Sequence, residues 1–402
     1  MGAVKASDDE SGRNASMPQP DSTISYDWMP PSPSGKYATG VSLHSHTSHS
    51  VESLMFIHSM FVAYPAVKRL FSYYEKRSER HGVTVDFVAA HWRPPLLPRM
   101  ALDLESQQIR ELGLRPLVSL TDHDDVLAPL LLRTMRSSRK VPVSVEWTVP
   151  FGQTVFHIGI HNLPAEHAMQ WMARFEAFTA APCEQELHGL LSELHSDPRI
   201  LIILNHPLWD LYETGELHCK ELTRFLETHN ERVHALELNG LRHPKENRQV
   251  TKLARTWSQL LISGGDRHGM EANANINLTD ARTFDDFVHE VRVERRSHVL
   301  FLQQYRQPWS HRIMNSTVDS ITNHSSFSEG WQRWDERAFH PDRNGIMQPL
   351  SDLWTGGRAP LPLRAAITVV RLSRHRTVAH LLDWMLPKID AGTANAIHQE
   401  IA

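Results

Sequence analysis

Five apolar runs in this chain end in histidine or carboxylate, and any fold must find partners for those groups where the strands stop. Val41-Ser42-Leu43 leads into His44-Ser45-His46, and Val118-Ser119-Leu120 into Asp122-His123. Val143-Ser144-Val145 leads into Glu146, Ile202-Ile203-Leu204 into Asn205-His206-Pro207, and Leu261-Ile262-Ser263 into Asp266-Arg267-His268. His157 sits inside a further apolar run, 155–160. A glutamate or histidine within an apolar strand is costly to bury without a partner. In α/β folds with parallel strands, chemistry gathers at the C-terminal strand ends.

The spacing of these runs predicts the architecture. Strands are expected at 41–43, 116–120, 141–145, 155–160, 199–204, 234–238, 259–263 and 298–302, with helical stretches such as 102–112, 183–195 and 221–230 between them. Strands alternating with helices argue for a parallel sheet with helical crossovers. About seven strands over residues 39–305 suit an α/β barrel, with a doubly wound open sheet as the competing architecture. Residues 1–38 are rich in Ser, Pro, Asp and Gly and read as a disordered lead-in. A long excursion, about 52–100, begins with a stretch that looks helical from 52 to 80. The segment 306–402 reads as a C-terminal helical extension, with helices at 363–374 and 377–386.

Each candidate has a bland alternative. His44 and His46, two apart on a strand, would project to one face and suit a divalent metal, or they are surface histidines. Asp124 or Asp125 could cap the next helix, which leaves His123 unexplained. Glu146 and His157 could form a buried pair; a bridging role between metals would offset their burial equally well. His161 reads as exposed, or as a neighbour of the ligands rather than one of them. Pro207 breaks the fourth strand, and the glycines around Asp266 and His268 permit close backbone approach.

Taken in order, these motifs resemble the PHP (polymerase and histidinol phosphatase) superfamily of metal-dependent phosphoesterases. The resemblance covers roughly 39–305. It implies a distorted (β/α)7 TIM-like barrel with a trinuclear site at its mouth. On that pattern His44, His46, Glu146 and Asp266 hold one metal. Glu146 bridges to a second, completed by His157 and His206, and His123 and His268 serve a third. The family's aspartate five residues after the second histidine is replaced here by Val51; Glu52 or His49 could substitute, and Glu52 keeps an oxygen donor.

The implied chemistry is hydrolysis of a phosphate ester by water activated on two or three divalent ions, Mn, Zn or Fe. His123 and His268 are also candidates to carry the leaving group's proton. Arg267, Arg242, Arg248 and Asn239 are candidates to hold the substrate phosphate. An amidohydrolase-like enzyme acting on C–N or lactone bonds is the first rival, and a non-catalytic metal-binding module the second. A small-molecule phosphate ester or nucleotide is the expected partner.

A net charge of -4 gives no global pull toward nucleic acid or anionic lipid. Arg358, Arg364, Arg371, Arg374 and Arg376 leave a local nucleic-acid contact as a minor reading. Two cysteines, Cys183 and Cys219, imply no disulfide framework, and a reducing cytoplasm is the expectation. No apolar run reaches the ~18 residues a membrane span needs.

Overall fold

The computed structural model describes residues 18–30, 32–54, 65–77, 80 and 83–372. The fold is mixed α/β, with strands β1 (Asp21–Tyr26), β2 (Thr39–Ser42), β3 (Glu52–Ser53), β4 (His91–Trp92), β5 (Arg115–Val118), β6 (Val143–Phe151) and β7 (Thr154–Leu163). They are followed by β8 (Leu201–Asn205), β9 (Ala235–Asn239), β10 (Leu260–Gly264), β11 (Asn275–Thr279), β12 (Arg296–Phe301), β13 (Ala338–Pro341) and β14 (Met347–Pro349). Helices Pro98–Glu111, Glu184–Ser196 and Glu216–His229 lie where the sequence predicts them.

Ten of the strands form two five-stranded sheets, β1-β12-β11-β2-β5 and β10-β9-β8-β7-β6, rather than the expected seven-stranded closed barrel. Pairing is not uniformly parallel either. β7 runs antiparallel to both β6 and β8, and β11 runs antiparallel to both its neighbours. The reversal at β6–β7 follows from a tight hairpin at Gly152-Gln153, where Gly152 takes φ 58°. The two sheets touch through single bridges, Ser45 to Arg267 and His123 to Glu146. Ladder pairing fails there because the chain leaves extended geometry: His44 has φ 61° and Asp266 φ 52°. The breaks in the ladder therefore fall at the candidate residues.

Between the sheets, Val41 and Leu43 pack with Leu201, Ile203, Ala235, Leu260 and Ile262. The alternate residues Ile202 and Leu204 turn to the other face, against Leu187, Leu190 and Phe225. Strands buried on both faces read as continuous apolar runs, which is why β8 and β10 were visible in sequence.

Two expectations need correction. Residues 21–26 are not part of a disordered lead-in but an edge strand in full register with β12. The alternation in Asp-Ser-Thr-Ile-Ser-Tyr is weak, and its order comes from that pairing and from Tyr26 stacking on Phe301. Second, the excursion and the C-terminal extension are not separate. β3 and β4 join β13 and β14 in one antiparallel sheet, and Leu54, Phe71, Tyr74 and Trp92 share a core with Ala338, Leu350 and Trp354. Glu52–Ser53 is strand rather than helix; the described helix of that stretch is Pro65–Glu75, and 55–64 lie outside the described residues. Helix Leu361–Leu372 matches expectation, whereas the one expected at 377–386 lies outside the described residues. Among the described residues no helix is long and apolar enough to cross a membrane.

One buried histidine makes a stability prediction. His229 is fully buried against Phe151 and Phe225, with neither ring nitrogen hydrogen-bonded. Burial, helped by His188 and Arg232, holds its pKa down at about 4. The unfolded chain then binds a proton that the folded chain refuses. This contribution is intact above about pH 6.5 and is lost as pH falls toward about 4. His229→Leu should flatten that part of the urea-stability profile relative to wild type; parallel profiles would show that His229 is not the titrating group.

Candidate metal centre

The ligand candidates singled out in sequence follow the ends of β2, β5, β8 and β10 or lie within β3, β6 and β7, and they meet in one buried cluster. Glu146 is at its middle and is fully buried. Its Oε2 lies 2.9 Å from His44 Nε2, 3.2 Å from His46 Nε2 and 3.4 Å from His123 Nε2. Its Oε1 faces the other way, 3.1 Å from His206 Nε2 and 3.4 Å from His157 Nδ1, and accepts from Asn205 Nδ2 at 3.0 Å. Asp266 Oδ1 closes the first group, 3.6 Å from His44 Nε2 and 3.4 Å from His46 Nε2.

These separations are close, yet His44 Nε2, His46 Nε2, Glu146 Oε2 and His157 Nδ1 are all buried without a hydrogen bond. Atoms that approach without hydrogen-bond geometry are aimed at a shared point between them. Around an ion with bonds of about 2.1 Å, neighbouring ligand atoms lie about 3.0 Å apart in octahedral and about 3.4 Å in tetrahedral geometry. The spacings of 2.9–3.6 Å among His44, His46, Glu146 and Asp266 match that range. The donor set of imidazole and carboxylate without thiolate suits Mn, Fe or Zn. Among the described residues three further groups of ligand atoms fall within ligand reach of one another: His46, Glu52, His123 and His268; His123, Glu146 and His157; and His44, His206 and Glu237.

Neighbouring groups fix which nitrogen of each ring is available. His44 Nδ1 donates to Glu237 Oε1 at 2.6 Å, and His268 Nδ1 donates to the Asp266 carbonyl at 2.7 Å. Each leaves its Nε2 lone pair for the cluster. His46 Nδ1 faces Ser50 Oγ at 3.2 Å, whose hydroxyl donates to Glu52 Oε1 at 2.6 Å. Glu52 then reaches His268 Nε2 at 3.1 Å and His123 Nε2 at 3.5 Å, while Val51 is 45% exposed and turned away. His49 makes none of these contacts. Asp122 holds the chain after His46 by accepting from the Thr47 backbone and hydroxyl. Asp125 accepts from Leu127 N at the start of the following helix, whose N-cap position is Val126, and Asp124 accepts from Thr148 N.

Electrostatics follow from packing so many carboxylates out of water. Burial opposes charge on His44, but Glu146 and Glu237 outweigh it and raise the pKa well above its ordinary value. His46 rises to about 10 against the same burial, through Glu52, Asp266 and Glu146. Burial also opposes charge on Glu146, Asp266 and Glu52, yet the surrounding histidines hold all three carboxylates down. His123 goes the other way, to about 3, because burial dominates its carboxylate neighbours. The cluster demands positive charge; protons supply it when no metal does, and a divalent ion would compete with them.

Several sequence candidates are placed elsewhere. Arg267 points inward: its Nε donates to Glu105 at 2.8 Å, and its other nitrogens to the Gly269 and His46 carbonyls. It is 4% exposed and committed to these partners rather than presented at the rim, because a guanidinium between two strand ends finds acceptors in the backbone beneath them. Asn239 is buried, with its amide on Glu237 and its oxygen on Leu241 N. Arg248 lines a separate small cavity with Ile24, Tyr26 and Phe301. Arg242 does stand at the cluster: its guanidinium stacks 4.4 Å over Trp209 and lies 3.3 Å from Asp266 Oδ2. His161 is fully buried rather than exposed, on Ser119 Oγ at 2.8 Å.

Sequence reasoning missed Glu237, Glu105 and Trp209. Glu237 carries the same signal as Glu146, a glutamate in an apolar strand. Glu105 lies in helix Pro98–Glu111, and its pairing with Arg267 across 162 positions leaves no local trace. Trp209 packs its ring against His157 and His206 at 5.4 and 5.0 Å.

No protein-family model matches the chain, and no curated protein matches it. Solved structures give slight likenesses. One is a provisionally assigned metal-dependent phosphoesterase from Bifidobacterium adolescentis, at 14% identity and TM-score 0.31, covering 50% of this chain and 92% of that one. Another is an amidohydrolase from Chromobacterium violaceum, solved with sulfate and no metal, at 14% and 0.32, covering 45% and 86%. A third is PsfC from Pseudomonas syringae, at 14% and 0.36, covering 55% and 88%. At these scores the likeness carries no functional argument.

The buried Glu105–Arg267 pair supports the chain between Asp266 and His268. Glu105→Ala strands a guanidinium that is 4% exposed and should cost roughly 3–5 kcal/mol in urea unfolding, with Glu105→Gln milder. A loss below about 1 kcal/mol would mean that Arg267 finds water on its own.

Proposed function

We propose that the chain is a metal-dependent phosphoesterase working through a cluster of two or three divalent ions. The observation that carries this is the convergence of unbonded, buried ligand atoms on both sides of the Glu146 carboxylate. His44, His46, Glu146 and Asp266 would hold one ion. Glu146 would bridge to a second with His157 and His206, and Glu52, His123 and His268 would hold a third with Glu52 in place of the family's aspartate. Ions so held would lower the pKa of bound water and supply hydroxide near neutral pH.

The chain's own groups divide the remaining work. Arg242 is a cation at the rim, stacked on Trp209 and 17% exposed, and suits two oxygens of a phosphoryl group. A phosphate ester is favoured over an amide for that reason and because the cluster offers more than one ligand group. His123 and His268, at 14% and 16% exposure, lie nearer solvent than the other histidines of the cluster. Both direct Nε2 toward Glu52, which favours ligation over carrying the leaving group's proton. Arg267, Arg248 and Asn239 have no part in this reading.

The test is a hydrolysis screen on chelator-stripped protein reloaded with Mn, Fe or Zn, using phosphomonoesters, phosphodiesters, an amide and a lactone. His44→Ala and Asp266→Ala should each lower phosphate-ester turnover by more than about 100-fold. Turnover of the amide or lactone alone would favour an amidohydrolase-like activity, and metal uptake with no turnover a binding module. Arg242→Ala should raise KM for the phosphate ester about 10- to 100-fold at unchanged metal content. An unchanged KM would remove Arg242 from substrate recognition.

A further inference from the structure

Glu237 touches two of the strand ends that the metal reading uses. It is buried in β9, and its Oε1 accepts from His44 Nδ1 at 2.6 Å. Its Oε2 accepts from the His206 backbone N–H at 2.7 Å and from Asn239 Nδ2 at 3.2 Å. Both histidines have left-handed backbone, φ 61° and 25°, a conformation that persists only where surrounding groups hold it. The space for this carboxylate is reserved by the next strand. A Cβ on Gly264 would stand 1.4 Å from Glu237 Oε1, so a glycine in β10 leaves room for the acid in β9.

Resting on the proposed metal centre, we infer that Glu237 is a positioning residue shared by two metal positions. Through the His44 side chain it presents Nε2 to the group formed with His46, Glu146 and Asp266. Through the His206 backbone it sets the ring that faces the opposite oxygen of Glu146. Both its oxygens already accept N–H donors, so it acts through the histidines rather than on an ion. The competing arrangement is direct ligation, since His44, His206 and Glu237 also bring ligand atoms within 4.8 Å of one another.

The experiment titrates the full chelator-stripped chain with Mn2+ or Zn2+ alone, by calorimetry and by thermal melting. Glu237→Gln keeps the shape and an acceptor but removes the charge. It should weaken two metal equivalents together, each about 10- to 100-fold, with stoichiometry preserved and the chelated form melting no lower than wild type. His206→Ala should affect one equivalent. Gly264→Ala, which displaces the carboxylate without altering it, should reproduce the Glu237→Gln loss and covers the case in which Glu237→Gln does not fold. Unchanged affinities in Glu237→Gln, or a lower melting temperature of the chelated form with affinities intact, would overturn the inference, as would loss of one whole equivalent, which marks a ligand. A wild type that takes up neither ion would remove the metal centre itself, an outcome distinct from wild-type uptake that Glu237→Gln leaves undisturbed.

Discussion

Four carboxylates, Glu52, Glu146, Glu237 and Asp266, lie within a few ångströms of six imidazoles and out of contact with bulk water. A carboxylate in such surroundings is tolerated only when opposite charge and hydrogen bonds replace its hydration. The rest of the site follows from that demand. It explains why His44 and His46 are pushed toward the protonated form while His123, where burial outweighs Glu146 and Glu52, is pushed the other way. It also explains why the sheets fail to close into one ladder: the residues that would continue β2 and β10 turn side chains into the cluster instead of extending their strands.

The sequence made the strand ends legible because burial on both faces forces continuous apolar runs, against which a histidine or glutamate stands out. His44, His46, Glu146, His157, His206 and Asp266 were found that way, and Glu52 through a replaced position in a resemblance. The sheet arrangement was not legible. A parallel crossover and a hairpin use the same apolar run, and only Gly152 in the loop hints that β6 and β7 reverse. Nor was the small sheet: β3 and β4 are two residues each, too short for any period, and β4 finds β13 only some 250 positions further on. The arginines misled for a related reason. Position between two ligands says nothing about direction, and Arg267 is directed by Glu105, a residue that only the folded chain brings near.

The small sheet gives the excursion a place in the site. Glu52 lies in β3 directly opposite Trp92 of β4, and the Trp92 ring stands 6.0 Å from His268. One strand pair thus offers a carboxylate to the cluster and an aromatic wall beside it. The same Trp92 and Leu54 line an apolar cavity of about 140 Å³ with Phe71, Phe87 and Ile367. The segment that carries Glu52 is therefore anchored by a hydrophobic core independent of the two large sheets. Where the Glu52 oxygen points is therefore determined by β3 and its pairing with β4.

His44, His206 and Asp266 all hold left-handed backbone, a state that costs non-glycine residues roughly 1–3 kcal/mol each. Each is held by hydrogen bonds to its neighbours. Glu237 takes the His44 ring and the His206 amide, and Asp266 N donates to the His44 carbonyl at 2.8 Å. Arg267 ties the next residue to Glu105 and to the His46 carbonyl. A cluster assembled from relaxed strand ends would point alternate side chains to opposite faces, and His44 and Asp266 could not both aim at Glu146 across two sheets. The strain is thus what lets two open sheets present one inward-facing set of ligands, and the buried acids Glu105 and Glu237 are the groups that hold it in place.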